Sequence, residues 1–111
     1  MKTVLLVDDS TTMLMSMKAG LEISGFQVEV AGDGEQAMQK LDTGLKPDLI
    51  ITDIHMPRMD GIEFIRQARR KLRFTPILAL TADGRSAIVS SEGVGAPLVT
   101  VPLPQAAADA P

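Results

Sequence analysis

Three acidic residues and one hydroxyl stand where apolar runs end. Asp8 and Asp9 follow Thr3-Val4-Leu5-Leu6-Val7, Asp53 follows Asp48-Leu49-Ile50-Ile51-Thr52, and Thr81 follows Pro76-Ile77-Leu78-Ala79-Leu80. If these runs are strands of one open parallel sheet, their C-terminal ends share an edge, where such sheets place ligand sites. Three carboxylates gathered there repel one another unless they share a divalent cation. Hard oxygen donors suit Mg2+, which keeps several waters and accepts phosphate oxygens. The chemistry indicated is metal-assisted phosphoryl chemistry. Singly, each acidic residue would pass as a cap or a solubilising loop group; the convergence of three carries the argument. The only histidine, His55, is read as solvent-facing, because nothing in this chemistry requires its imidazole.

Those positions need a particular scaffold. The runs 3–7, 48–52 and 76–80 are nearly continuous in apolar residues, as strands covered on both faces must be, and Val28-Glu29-Val30 supplies a further short strand. Between them lie stretches with helical spacing. Leu14, Met17 and Leu21 recur behind the capping residues Ser10, Thr11 and Thr12, and Gly25 stops that helix. Ala37, Met38 and Leu41 mark a second helix between Asp33 and Gly44, and Ile62, Ile65, Ala68 and Leu72 a third behind Asp60-Gly61. The methionines among them read as core. Strands alternating with crossover helices predict a doubly wound parallel sheet.

The chain of 111 residues has room for one domain with a single core. With no cysteine, disulfide staples, thiolate zinc sites and thiol catalysis are excluded. A net charge of -3 disfavours a general nucleic-acid surface. The local basic group Arg66, Arg69, Arg70, Lys71 and Arg73 reads as a solvated helix face. No apolar run reaches the roughly 20 residues a membrane span needs, and residues 1–7 are too short for a signal peptide, so a cytoplasmic location is expected.

After residue 84 the pattern changes. Residues 85–111 carry only Arg85, Glu92 and Asp109 as charges and hold Pro97, Pro102, Pro104 and Pro111. Two helical turns over Ser86 to Glu92 and a short strand at Leu98-Val99-Thr100-Val101 are expected. The domain is taken as residues 1–104, divergent after 84, with 105–111 as a disordered tail.

The motifs Val7-Asp8-Asp9-Ser10, Asp53-Ile54-His55-Met56-Pro57-Arg58-Met59-Asp60-Gly61 and Leu80-Thr81-Ala82 together resemble the signature set of the response-regulator receiver domain, of the CheY-like type. The resemblance covers about residues 2–83 and is specific in spacing as well as residue type. It implies a flavodoxin-like, doubly wound parallel sheet of five strands, here with the last helix shortened or missing. It further implies that Asp53 accepts a phosphoryl group from a histidine kinase, with Mg2+ held by Asp8, Asp9, Asp53 and the backbone carbonyl of His55. Thr81 would bond a phosphoryl oxygen, and Ala82 would leave space beside it. The implied role is signalling in a two-component phosphorelay through a downstream protein partner, with no direct contact to nucleic acid or membrane. Self-phosphorylation and slow autodephosphorylation are then the only reactions, and the chain is not an enzyme in the turnover sense.

One departure from the family pattern stands out. The family carries Lys-Pro at the end of the fifth strand, whereas Val101-Pro102-Leu103 occupies that place here, so Val101 is read in the Lys position. Leu98 falls near the aromatic position that switches in the family. A non-switching pseudo-receiver that serves as a protein-binding module is therefore the alternative. A phosphatase of the haloacid dehalogenase type also uses a strand-end Asp and Mg2+, but it expects Asp where His55 stands. The missing helix predicts an uncovered apolar strip near Val4, Leu6 and Val99 and, through it, a homodimer.

Overall fold

A computed structural model describes residues 1–54, 59, 61–80, 86–90 and 99–102. The elements run β1 (Thr3–Val7), α1 (Thr11–Ile23), β2 (Gln27–Ala31), α2 (Gly34–Asp42), β3 (Leu49–Asp53), α3 (Gly61–Lys71), β4 (Ile77–Leu80), β5 (Ser86–Ser90) and β6 (Val99–Pro102). The first seven follow the alternation of apolar runs and helical spacing. The sheet order is β2-β1-β3-β4-β5-β6. The first four strands pair in parallel, with Leu6 beside Val30 and Ile51, and Ile51 beside Leu78. The doubly wound α/β class is thus the one expected, but the sheet has six strands and not the five expected, because residues 86–90 add an antiparallel strand beside β4.

Local chemistry sets the helix ends. The Ser10 hydroxyl accepts from the Met13 N–H and a carboxylate oxygen of Asp33 accepts from the Gln36 N–H, so each satisfies one of the orphan donors of a helix N-terminus. Both α1 and α2 close with the same device. Gly25 (φ 96°) and Gly44 (φ 109°) take the left-handed conformation. The N–H groups of Phe26 and Leu45 then return to the carbonyls of Leu21 and Lys40, a paired arrangement that only a residue without Cβ adopts at no steric cost.

Alternation along the strands divides the core in two. Leu5, Val7, Ile50, Ile77 and Ala79 face α2 and α3, where Ala37, Leu41, Phe64, Ile65 and Ala68 complete one buried cluster. On the other face Val4, Leu6 and Val28 pack with Leu14 of α1, with Met17 and Leu21 partly buried beside them. Met13 and Met15 are exposed, so only part of the methionine-rich stripe is core. Val4 and Leu6, expected on an uncovered strip, are fully buried in this second cluster.

Two further expectations change. Arg69 is not on a solvated face: it is 4% exposed, and its Nη1 donates to the Leu72 carbonyl at 2.8 Å. Position 69 shares a helix face with Ile65 and Leu72, so its stem packs inward while its guanidinium satisfies a carbonyl at the helix end. Residues 86–90 form a strand and not helical turns. β5 runs antiparallel to β4, with Leu78 beside Val89 and Leu80 beside Ala87, and β6 runs antiparallel to β5. β-branched Ile88 and Val89 suit an extended pairing, and five residues are too few for a stable helix of their own. Val101 therefore lies on a sixth strand, paired with Ala87, one strand farther from β4 than the Lys position would be. Leu98 and the tail 105–111 lie outside the described residues. Among the described residues no helix is long and apolar enough to cross a membrane.

Candidate metal and phosphoryl site

The strand order reverses at β1: the chain steps from β1 out to β2 on one side and then to β3 on the other. A crevice opens at the C-terminal ends of β1 and β3, and the acidic residues stand in it. Asp8 and Asp9 leave β1, and Asp53 ends β3. Carboxylate oxygens of Asp8, Asp9 and Asp53 all lie within 4.8 Å of one another. The three residues singled out from sequence are therefore brought together. Thr81, Ala82 and His55 lie outside the described residues.

The turn after β1 is tied down at both ends. The Asp8 N–H donates to the Ala31 carbonyl at 3.1 Å, and Asp8 Oδ1 accepts from the Ser10 N–H at 2.9 Å. Ser10 in turn caps α1, so helix start and acidic pair are set by one short segment. Beneath the carboxylates lies a cavity of about 10 Å3, close to what one water molecule needs, lined by Asp8 and Asp53 together with Leu6, Leu14, Met17, Ile51 and Leu80.

That setting shows in the protonation of Asp8. Its pKa is raised above the ordinary 3.8, first by burial and then by the charges of Asp53 and Asp9, against the lowering effect of the Ser10 N–H. At this spacing one pair of like charges costs about 1 kcal/mol with the screening of water and roughly 3 kcal/mol with that of a protein surface. A cluster of hard oxygen donors in which the charged form of Asp8 is disfavoured fits a hard divalent cation, since the cation reverses the sign of that interaction.

Behind Asp53 the backbone is held from the α3 side. The Thr52 hydroxyl donates to the Asp53 carbonyl at 2.9 Å, and the Gly61 N–H donates to the Ile54 carbonyl at 2.7 Å. Gly61 passes so close that a Cβ on it would overlap the Asp53 carbonyl oxygen and sit 2.6 Å from Ile54 Cα. Met59 lies close on α2, though less tightly, 3.1 Å from where a Cβ of Gly34 would be. In sequence Gly61 marks only the start of the third helix, and Thr52 only the end of an apolar run. The signal for Thr52 was one hydroxyl in an otherwise apolar Leu-Ile-Ile run.

A family model described as the response regulator receiver domain matches residues 4–96. The alkaline phosphatase synthesis transcriptional regulatory protein PhoP of Bacillus subtilis is 44% identical over 81 residues, 73% of this chain and 33% of PhoP. The transcriptional regulatory protein CpxR of Escherichia coli K12 is 43% identical over 84 residues, 76% of this chain and 35% of CpxR. The chain thus spans about a third of the length of these curated relatives. Among solved structures, chemotaxis protein CheY4 of Vibrio cholerae superposes with a TM-score of 0.68 at 40% identity, covering 72% of this chain and 68% of that one. Response regulator protein TrrA of Thermotoga maritima, solved in complex with Mg2+-BeF, gives 0.66 at 35% identity, covering 74% and 70%. A match of this extent, over the strands that carry the acidic crevice, means that the chain belongs to the response regulator receiver domains of two-component systems.

Proposed function

We propose that the chain is a phosphoacceptor: Asp53 takes a phosphoryl group from the phosphohistidine of a histidine kinase, and the modified domain signals through a protein partner. The observation that carries this reading is the convergence of Asp8, Asp9 and Asp53 within 4.8 Å at the reversal of strand order. In the transfer an Asp53 carboxylate oxygen bonds to phosphorus, the P–N bond to the imidazole breaks, and the imidazole nitrogen keeps the electron pair and takes a proton. Mg2+, held by Asp8, Asp9, Asp53 and the backbone carbonyl of His55, would neutralise charge on the phosphoryl oxygens. The chain's own part is positioning: Ser10 fixes Asp8 and the end of β3 presents Asp53, and by the family resemblance Thr81 would bond a phosphoryl oxygen, with Ala82 leaving room for it. Water later cleaves the acyl phosphate and restores Asp53, so the domain is spent once per phosphorylation and is not a turnover enzyme. The complex named for TrrA supports the cation and the phosphoryl position, as a likeness.

A transcriptional role such as that named for PhoP and CpxR is carried over only as an output governed through a partner, since a third of their length is shared; no nucleic-acid contact is assigned to the receiver itself. The second reading, a non-switching receiver, is favoured by one observation. The outer neighbour of β4 is the antiparallel Ser86–Ser90, which carries no lysine. Intact mass after incubation with Mg2+ and an acyl phosphate tests the first reading. One added phosphoryl unit on the parent and none on Asp53→Asn is expected, and an unmodified parent would refute it.

A further inference from the structure

We infer that the Thr52 hydroxyl is a positioning group for Asp53, fixing the peptide that follows it so that its carboxylate is delivered to the cation and to phosphorus. The inference rests on the phosphoacceptor reading.

Thr52 is 1% exposed, and its neighbours in register are Val7 on β1 and Ala79 on β4, both fully buried. Valine would fill such a place without desolvating a hydroxyl, which costs free energy unless the hydroxyl is hydrogen-bonded. Here it is bonded, and the acceptor is the carbonyl of Asp53 itself, at 2.9 Å.

That carbonyl lies where the sheet stops holding the chain. Asp53 is the last residue of β3, and the next ladder bond, from the Ile54 N–H to the Leu80 carbonyl, is long at 3.3 Å. The Asp53 carbonyl carbon is bonded to the same Cα that carries the carboxylate side chain, so a shift of this carbonyl group would displace Cα and Cβ with it. The Thr52 hydroxyl resists that shift by gripping the carbonyl, while Gly61 closes over the same oxygen from α3. The carboxylate of Asp53 is then aimed from behind by a residue that touches neither cation nor phosphoryl group. Displacement of a reacting group by about 1 Å can cost on the order of a hundredfold in rate, so partial loss of this grip should cost about tenfold.

Three variants separate the bond from the packing. Thr52→Val keeps the volume and loses the hydroxyl, Thr52→Ala loses both, and Thr52→Ser keeps the hydroxyl and loses a methyl. The rate of Asp53 modification by an acyl phosphate is followed by intact mass, and Mg2+ affinity by calorimetric titration, with melting temperatures alongside. Thr52→Ser is expected within about twofold of the parent in both readouts, and Thr52→Val and Thr52→Ala about tenfold slower with weaker Mg2+ binding. The inference is overturned if the valine or alanine chain is modified as fast as the serine chain, or if all three slow only in proportion to their loss of stability. Should Thr52→Val not fold, the serine and alanine pair decides. A parent chain that takes up no phosphoryl group refutes the phosphoacceptor reading instead, and the Mg2+ titration across the same chains then decides the role of Thr52.

Discussion

Gly61→Ala and Gly20→Ala are the same chemical change in two helices, and the structure gives them opposite signs. Glycine inside a helix is ordinarily worse than alanine by roughly 0.5–1 kcal/mol, because its backbone loses more freedom on folding. Gly20 obeys that rule: it is exposed in α1, nothing lies within 4 Å of the place a Cβ would take, and its substitution should raise the melting temperature by a few degrees. Gly61 opens α3 against the end of β3, and its Cβ would overlap the Asp53 carbonyl oxygen, with Ile54 Cα at 2.6 Å and the Asp53 carbonyl carbon at 3.1 Å. These are backbone atoms, so no side chain can rotate out of the way. α3 cannot simply retreat, because Phe64, Ile65 and Ala68 are buried in the larger cluster. Overpacking of this kind costs typically 1–3 kcal/mol and outweighs the propensity gain. For a chain of this size a net loss of about 1–2 kcal/mol lowers the melting temperature by roughly 4–16 °C. With no Trp or Tyr in the chain, far-ultraviolet circular dichroism is the suitable probe. A Gly61→Ala chain as stable as the parent, alongside a stabilised Gly20→Ala, would refute the claim that α3 rests directly on the Asp53 peptide.

Three other outcomes are expected. Millimolar Mg2+ should raise the melting temperature of the parent in a concentration-dependent way, and Asp9→Ala or Asp53→Asn should blunt the response; a curve indifferent to Mg2+ would remove the metal from the reading. Without metal, the raised pKa of Asp8 makes its contribution to stability complete below 3.8 and lost as pH rises through the folded value. Urea titrations should therefore show a stabilising term from Asp8 on acidification from neutral pH, and Asp8→Asn, which keeps an acceptor for the Ser10 N–H, should be more stable than the parent at pH 7 and nearly free of that term. Since β5 and not β6 lies beside β4, a lysine introduced as Ala87→Lys should alter phosphorylation-dependent amide shifts more than Val101→Lys; the reverse order would return Val101 to the role first read for it.

What the sequence made legible, and what it did not, follows from the range of the interactions involved. Ser10, Asp33, Gly25 and Gly44 act within four residues of themselves, so the ends of α1 and α2 can be read one residue at a time. The runs ending at Asp8 and Asp53 are apolar on both faces, and that alone makes them central parallel strands whose C-terminal ends must meet. Ser86–Ser90 lacks any such internal signal. Ile88 and Val89 favour extension only weakly, and the segment becomes a strand because β4 offers Leu80, Leu78 and Ile77 as partners from across a connection whose length, not pattern, permits a reversal. Arg69 was misread for a related reason: charge argues for solvent, but its place on the helix, between Ile65 and Leu72, argues for the core, and position decides when the guanidinium can reach a carbonyl at the helix end.

The acidic site divides along the same line. That three carboxylates meet is a topological consequence of strands ending together, and so it could be foreseen from spacing. That Asp8 has its proton affinity raised depends on its burial among side chains such as Leu6, Leu14 and Met17, which belong to two different elements. The hold on Asp53 is of the second kind too. Thr52 points to the opposite face of β3 from Asp53, and Gly61 arrives from α3 eight residues later, yet both converge on one carbonyl. The acidic edge of the sheet is thereby coupled to the buried cluster on its far side, so substitutions under α3 should reach the proposed chemistry at Asp53 through its backbone before they reach it through charge.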